Sequence, residues 1–314
     1  MRNLSKVNLK RVFIALIVLL VVVPVLTFAS HSKKIYVDDS AKGSQDGSAS
    51  HPYKTINQAL KKAKNGTEVH VARGTYKENL EVPSGVEIYG KDRDKTIIEA
   101  RSDNRSTIYL KGSAKLVDLT IKKGNNGIKV DNGGRVKIFN CNVSKNDGDG
   151  IYITAKSGLK EQDQVTISEV SASDNGRNGI YSEKRNVIIY KSVFQRNKSN
   201  GAVFASGFKA WIGSTEFKDN LASGMVVTLD GTQIYTKNNS YSNNKREGIE
   251  INAYGAAGRI DIAKSKIRNN GNYGIARVER KVVNSNIWKG LTAEATSYLL
   301  THKGEVSPVF SILK

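Results

Sequence analysis

The sequence predicts an all-β chain wound as a parallel β-helix, a solenoid of stacked three-strand rungs with a short capping helix at its N-terminal end. Three observations carry this. The first is a motif: Asn-x-x-x-Gly recurs six times in succession, at Asn146/Gly150, Asn175/Gly179, Asn197/Gly201, Asn220/Gly224, Asn244/Gly248 and Asn270/Gly274, and Gly127 opens the series without its Asn. The glycines stand 22 to 29 residues apart. A fixed motif at that period means one supersecondary unit stacked on the next. The second is apolar alternation. Aligned on the Gly, apolar residues recur fourteen and twelve positions before it (Val187 and Ile189 in one repeat), seven before (Phe194) and one and three after (Ala202 and Phe204). Even spacing within each group is the period-2 pattern of half-buried strands. The third is composition. Between 125 and 285 no stretch carries the i, i+3, i+4, i+7 pattern of helical repeats, whereas Gly, Asn, Ser and β-branched residues suit strands and turns.

The elements follow in chain order. Residues 12–30 are almost wholly apolar and follow Arg2, Lys6, Lys10 and Arg11. This is a basic n-region before an export segment. Its length is about that needed to span a bilayer, and Thr27-Phe-Ala29 offers a cleavage site, so a cleaved signal and a membrane anchor both stay open. Residues 1–30 are therefore read as leader or anchor, 31–285 as the solenoid with its N-terminal cap, and 286–314 as a C-terminal cap or tail. Residues 53–64 read as an amphipathic helix with Ile56, Ala59, Leu60 and Ala63 on its apolar face, placed to cover the first rung. Leu291, Ala295, Leu299 and Leu300 make a weaker pattern of the same kind at the other end.

Within each rung, the recurring Asn is expected to hydrogen-bond the next rung and build a ladder. The Gly is expected to supply a turn conformation that strains a residue with a Cβ. The single cysteine, Cys141, falls in an inward column of small residues and is read as structural. Length variation is confined to the segment after each third strand, long at 154–164 and 252–259. Insertions at one turn of a solenoid border one face. The face beside them is the first strand of each rung, whose outward residues include Lys137, Phe139, Tyr190, Trp211, Tyr235, Lys237 and Asp261. The four aromatics are expected to form one outward row, able to stack on sugar faces, with Lys137 and Lys237 placed for carboxylates or sulfates.

The columns Val-x-Ile-x-x-small-x-Phe-x-x-Asn-x-x-x-Gly-Ile resemble the repeats of right-handed parallel β-helix proteins with the pectin-lyase-like fold. The leading segment adds to the likeness with Tyr36-Val-Asp-Asp, the Gly-rich loop 43–48, the run from Pro52 to Leu60, Gly74-Thr-Tyr-Lys-Glu and Gly85-Val-Glu-Ile-Tyr-Gly. The resemblance spans about residues 34–285 and implies the right-handed wind. It also implies that the strand beside the long turns is where enzymes of this fold keep their active sites. It does not imply an activity, because one solenoid hosts many functions.

Catalytic patterns tied to that resemblance match poorly. Hydrolases of this kind use clustered aspartates, and the proposed face carries only Asp261; Asp38 and Asp39 lie in the leading segment. The Asp-Pro-His-Asp signature of the related epimerases is absent, and the four histidines (His31, His51, His70, His302) are expected outside the repeats. Asp147 and Asp149 match no calcium-loop spacing, and no zinc spacing or Ser/His/Asp set occurs, so neither a metal nor a cofactor is expected. A formal charge of +20 on an exported chain points to an acidic polysaccharide or another anionic envelope polymer, with the membrane contacted through the leader. Export and the lack of any nucleic-acid motif argue against nucleic acid. The reading is an extracytoplasmic, cell-surface solenoid that binds an acidic glycan or serves as a structural envelope protein. The alternative is a polysaccharide lyase acting on uronates, with Lys237 as base and Tyr190 or Tyr235 as acid.

Overall fold

The computed structural model describes residues 32–279, apart from 155–159, 161, 206, 208, 230 and 254–257, with residues 253 and 277–279 described in backbone only. The export segment and the C-terminal cap lie outside these residues, as do parts of both long loops. Among the described residues no helix is long and apolar enough to cross a membrane.

One rung shows how the rest are built. Asn186–Tyr190 forms its first strand, Val193–Gln195 its second and Ala202–Phe204 its third. Equivalent strands stack into three parallel sheets of ten, nine and nine strands, here sheets 1, 2 and 3 in rung order. Neighbouring rungs pair in register, as in Val187↔Ala210, Phe194↔Phe217 and Ala202↔Met225. The apolar columns of the sequence alignment therefore become columns of the core. Val187, Ile189, Phe194, Ala202 and Phe204 are all buried. On sheet 2 the inward aromatics Phe194, Phe217 and Tyr241 stack at 5.3 and 5.0 Å between ring centroids.

The rungs begin earlier than the Asn-Gly motif does. Sheet 1 starts with Lys34–Val37, followed by Glu68–Val71 and Val86–Gly90. The leading segment is thus part of the solenoid as well as its cover. Helix α1, Ile56–Lys62, caps it as expected, burying Ile56, Ala59 and Leu60. Thr55 and Gln58 close a capping box at its start. The Glu78 carboxylate accepts from the Ile56 and Asn57 amides at 2.8 and 2.9 Å, so two more donors of the first turn are satisfied.

The Asn ladder forms. Asn146, Asn175, Asn197, Asn220, Asn244 and Asn270 are buried, and the Nδ2 of each of the first five donates to the Oδ1 of the next at 2.9 to 3.0 Å. The residue before each, from Lys145 to Asn269, adopts a positive φ of 51 to 58° that turns the chain sharply. The glycines have a different cause from the one expected. None from Gly127 to Gly248 in the series has a left-handed φ; instead an added Cβ would meet the carbonyl of the next rung's Gly at 2.5 to 2.6 Å. These positions are glycine because the rungs approach too closely for a side chain.

Two further polar columns run parallel to the first. In one, the Val170, Ser192, Thr215 and Asn239 amides donate to the side chains of Ser192, Thr215, Asn239 and Ser265. Cys141 heads this column, fully buried, its Sγ donating to Phe139 O and its thiol pushed up to about 12 by burial. It is structural.

The other column holds Asn126, Asp149, Asn178, Asn200 and Ser223 on successive rungs. Asp149 Oδ1 accepts from the Asn178 amide and Nδ2 at 3.0 and 2.8 Å, but its Oδ2 is buried without a partner. Burial raises the Asp149 carboxyl above the ordinary carboxylate range. An Asn here would keep both accepted bonds and turn the orphaned oxygen into a donor toward Asn126 Oδ1, which the Asp149 amide already meets at 2.9 Å. Asp149→Asn is therefore expected to stabilise the protein by about 1 kcal/mol at neutral pH. A folded-state pKa above the unfolded one, about 3.9, favours wild type only in acid, and this advantage is lost as pH rises through the folded value. The gain should thus grow from pH 4 to 7, as read from paired thermal unfolding curves.

Candidate functional site: the outer face of sheet 1

Alternation turns residues outward in two columns that run the length of the face, and the five-residue strands from Gln164 onward add a third outward position, held by Gln164, Asn186, Lys209, Gln233 and Arg259. Pairing registers place Lys34, Glu68, Glu87, Lys115, Lys137, Thr166, Ile188, Trp211, Tyr235 and Asp261 in one. The other holds Tyr36, His70, Tyr89, Val117, Phe139, Ser168, Tyr190, Gly213, Lys237 and Ala263. All six residues expected for binding face outward. They do not form the single row that sequence spacing suggested. Trp211 and Tyr235 occupy the first column on adjacent rungs, whereas Phe139 and Tyr190 occupy the second, with Ser168 between them. The offsets from the rung glycine separate them, eleven positions for Phe139 and Tyr190 and thirteen for Trp211 and Tyr235, so facing outward does not by itself put two rings in one column.

Trp211 and Tyr235 stack with centroids 6.0 Å apart and planes 13° apart. The Arg259 guanidinium lies 5.8 Å from the Tyr235 ring and pairs with Asp261 at 2.9 Å. Tyr190 lies against Gly213, where an added Cβ would meet its Cδ2 at 3.4 Å, and Lys191 stands over its ring. Phe139 is the most open aromatic of the face at 39% exposed, and Lys137 is exposed beside it. Rings stacked along the axis turn one face to each other, so the pair presents a ridge of edges to solvent, bracketed by cations.

A second cluster sits at the N-terminal end, where the sequence reading placed no functional residue. Tyr36, His70 and Tyr89 stack at 5.5 and 5.3 Å. His70 Nε2 meets Glu68 Oε2 at 2.9 Å. The Tyr89 hydroxyl donates to Glu87 and accepts from Lys115 Nζ, the latter at 2.8 Å. Burial, then the bond to Glu87, raises the Tyr89 hydroxyl pKa, which keeps it protonated. His70 lies outside the Asn-Gly repeats, as expected, but on a strand of sheet 1, and Glu68 and Glu87 join Asp261 as acids of this face. These rungs lack the Asn-x-x-x-Gly anchor. The alternation of Ile35/Val37, Val69/Val71 and Val86/Ile88 was the signal that puts Tyr36, His70 and Tyr89 in register.

The loop side of the face is tied down by Arg185. This residue is 1% exposed and donates to the carbonyls of Asn132 and Gly134, while its Nε has no partner. Asp163 accepts from the Gly134 amide at 2.7 Å and from the Lys160 amide at 2.8 Å. Among the described residues no three His, Cys, Asp or Glu side chains gather as metal ligands.

Three parallel sheets, in-register rungs and an internal Asn ladder define a right-handed parallel β-helix with a pectin-lyase-like architecture. The family model for the right-handed β-helix region matches residues 77–211 and 158–287, and the chain belongs to that family. A search of curated proteins found no match. Similar solved structures include the A-module of the Azotobacter vinelandii mannuronan C-5 epimerase AlgE4, with TM-score 0.55 and 18% identity over 77% of this chain and 81% of that one. The pectin methylesterase from Aspergillus niger gives TM-score 0.52 and 12% identity over 87% of this chain and 97% of the other. At these identities the likeness is one of fold.

Proposed function

We propose that this protein is an exported cell-surface solenoid that binds an acidic polysaccharide along the outer face of sheet 1. The observation that carries the reading is the arrangement of that face. Lys115, Lys137, Lys237 and Arg259 bracket Phe139, Tyr190, Trp211 and Tyr235 on one sheet whose ten strands extend for about 43 Å. A row of fixed cations beside apolar ridges suits a long polyanion with an apolar backbone face, and the +20 charge of the chain favours its approach. Proteins of similar fold include a mannuronan epimerase and a pectin methylesterase, which supports a glycan partner. The apolar segment 12–30 supports export, by a cleaved leader or a retained anchor.

Gels containing polygalacturonate or alginate should retard the protein in affinity electrophoresis. The double variant Trp211→Ala/Tyr235→Ala should weaken retention about tenfold, equivalent to about 1.4 kcal/mol. Raising the salt from roughly 0.05 to 0.5 M should weaken it further, as expected for exposed charges. Equal retardation of wild type and double variant removes this site.

A lyase reading keeps one observation: Lys237 and Tyr235 project from one strand on the same face, with Tyr190 two rungs from Lys237 in the second column. Release of unsaturated uronates from the same polymers, followed by ultraviolet absorbance and lost in Lys237→Ala, would favour it over binding alone.

A further inference from the structure

The outer face of sheet 1 is walled at its N-terminal end. The segment from Gly47 to Tyr53 lies on the free edge of the first strand. The Tyr36 amide donates to Gly47 O at 2.9 Å, the Tyr53 amide to Tyr36 O at 2.9 Å and the Asp38 amide to Tyr53 O at 2.8 Å. Tyr53 also bridges Val37. This contact covers an edge that would otherwise invite strand pairing. It also raises Ala49 and Pro52 beside Tyr36. Between them and His70, Tyr89 and Lys91 opens a cleft of about 430 Å³.

We propose that this cleft is an end pocket that holds the terminal pyranose residue of a glycan lying along sheet 1. The polymer part of this statement rests on the function proposed above; the pocket itself does not. The volume lies within the range of small-molecule sites, roughly 300 to 1,000 Å³. The lining is mainly apolar, with ring edges, Pro52 and alanines, which suits the C–H face of a sugar ring. Three polar groups on it have capacity to spare. Asp38 Oδ1 is held by the Ser40 amide and hydroxyl at 2.9 and 2.6 Å, which leaves its other oxygen as an acceptor. Lys91 lines the cleft and makes no ion pair with the described residues. His70 gives Nε2 to Glu68, so in the neutral ring Nε2 donates and Nδ1, on the opposite ring edge, accepts. The tyrosines stacked on both its faces fix the imidazole in place, so little ordering is required when a ligand arrives. Toward the C-terminal side the columns continue through Lys115 and Lys137, so a chain can leave the pocket in that direction; Pro52 closes the other.

The test is an NMR titration of the full chain with galacturonic acid, glucose and tetragalacturonate, watching the His70 ring signals assigned by their loss in His70→Gln. At least one of these saccharides should shift them. Ala49→Trp fills the cleft from an exposed loop position and leaves the residues of the ring stack unaltered. It should abolish the shifts and weaken binding of that saccharide at least tenfold, while retention in polymer gels falls less than twofold. The pocket is overturned if none of the three probes moves the His70 signals, or if the shifts persist in Ala49→Trp. If gel retention is absent in wild type but the monosaccharide shifts appear and vanish in Ala49→Trp, the pocket stands and only the polymer reading fails.

Discussion

Asn220→Ala is expected to cost about 4 kcal/mol of stability, a large part of the roughly 5 to 15 kcal/mol that holds an ordinary domain together. The side chain is fully buried between two rungs. Its Oδ1 accepts from the Asn197 amide at 3.1 Å and from Asn197 Nδ2 at 3.0 Å. Its Nδ2 donates to Asn244 Oδ1 at 2.9 Å and to Phe194 O at 3.1 Å. Alanine removes all four bonds and leaves their partners buried. Each unsatisfied buried group costs about 1 to 3 kcal/mol, and relaxation of the neighbours returns part of that sum. Because a solenoid is stabilised rung against rung, a lesion in the middle of the ladder weakens both flanking segments, and unfolding need not stay two-state. The measurement is a urea titration followed by circular dichroism, beside limited proteolysis of the turn after Phe217. Gln195→Ala, on the outward side of sheet 2, is the control and should shift stability by about 0.5 kcal/mol or less. A loss under about 1 kcal/mol for Asn220→Ala would mean that the ladder is ornament on a core that holds itself.

The ladder also shows what the sequence makes legible. An Asn at a fixed distance before a Gly, six times over, reports a backbone turn repeated at constant geometry, and the structure places every one of those side chains in the same column. The alternation around them gives the inward set directly, from Val187 and Ile189 to Phe204, because period 2 admits only two faces. Lateral position is in the alignment too: Phe139 and Tyr190 stand eleven positions before their rung's Gly, Trp211 and Tyr235 thirteen, two positions nearer the strand start. Asking only whether a residue is outward merges the two columns. The N-terminal cluster was missed for a different reason. Tyr36, His70 and Tyr89 are brought together by rungs with no Asn-Gly mark, so their register rests on pairing between strands 34 and 19 residues apart in sequence. Pairing at variable separation leaves no periodic trace. The second polar column was visible only as a preference for small residues, since Ser192 and Thr215 announce size in a sequence and hydrogen bonding only in a structure.

Gly201→Ala is expected to cost about 3 kcal/mol, and Gly201→Asn at least as much. The size of the penalty depends on why the position is glycine. If a left-handed φ were required, Asn would be the mildest replacement, because its short polar side chain tolerates that region. The structure gives Gly201 no such φ. A Cβ there would stand 2.5 Å from Gly224 O, 2.9 Å from Asn220 Nδ2 and 3.2 Å from the Phe217 ring. The carbonyl cannot retreat, since it accepts from the Ala202 amide at 3.0 Å as part of the rung pairing. Nor can the amide, which is bound into the ladder. Relief has to come from parting two rungs, and overpacking of that kind costs about 1 to 3 kcal/mol or more. Gly66 supplies the opposite case. It has a φ of +82° and nothing within 4 Å of a built Cβ. There Asn should be milder than Ala, because strain in the backbone is the whole penalty. Four variants, Gly201→Ala, Gly201→Asn, Gly66→Ala and Gly66→Asn, compared by urea midpoint, should therefore cross: Asn no better than Ala at 201, better than Ala at 66. Asn proving the milder replacement at both positions would return the rung glycines to a conformational role and remove close approach as the reason for the period.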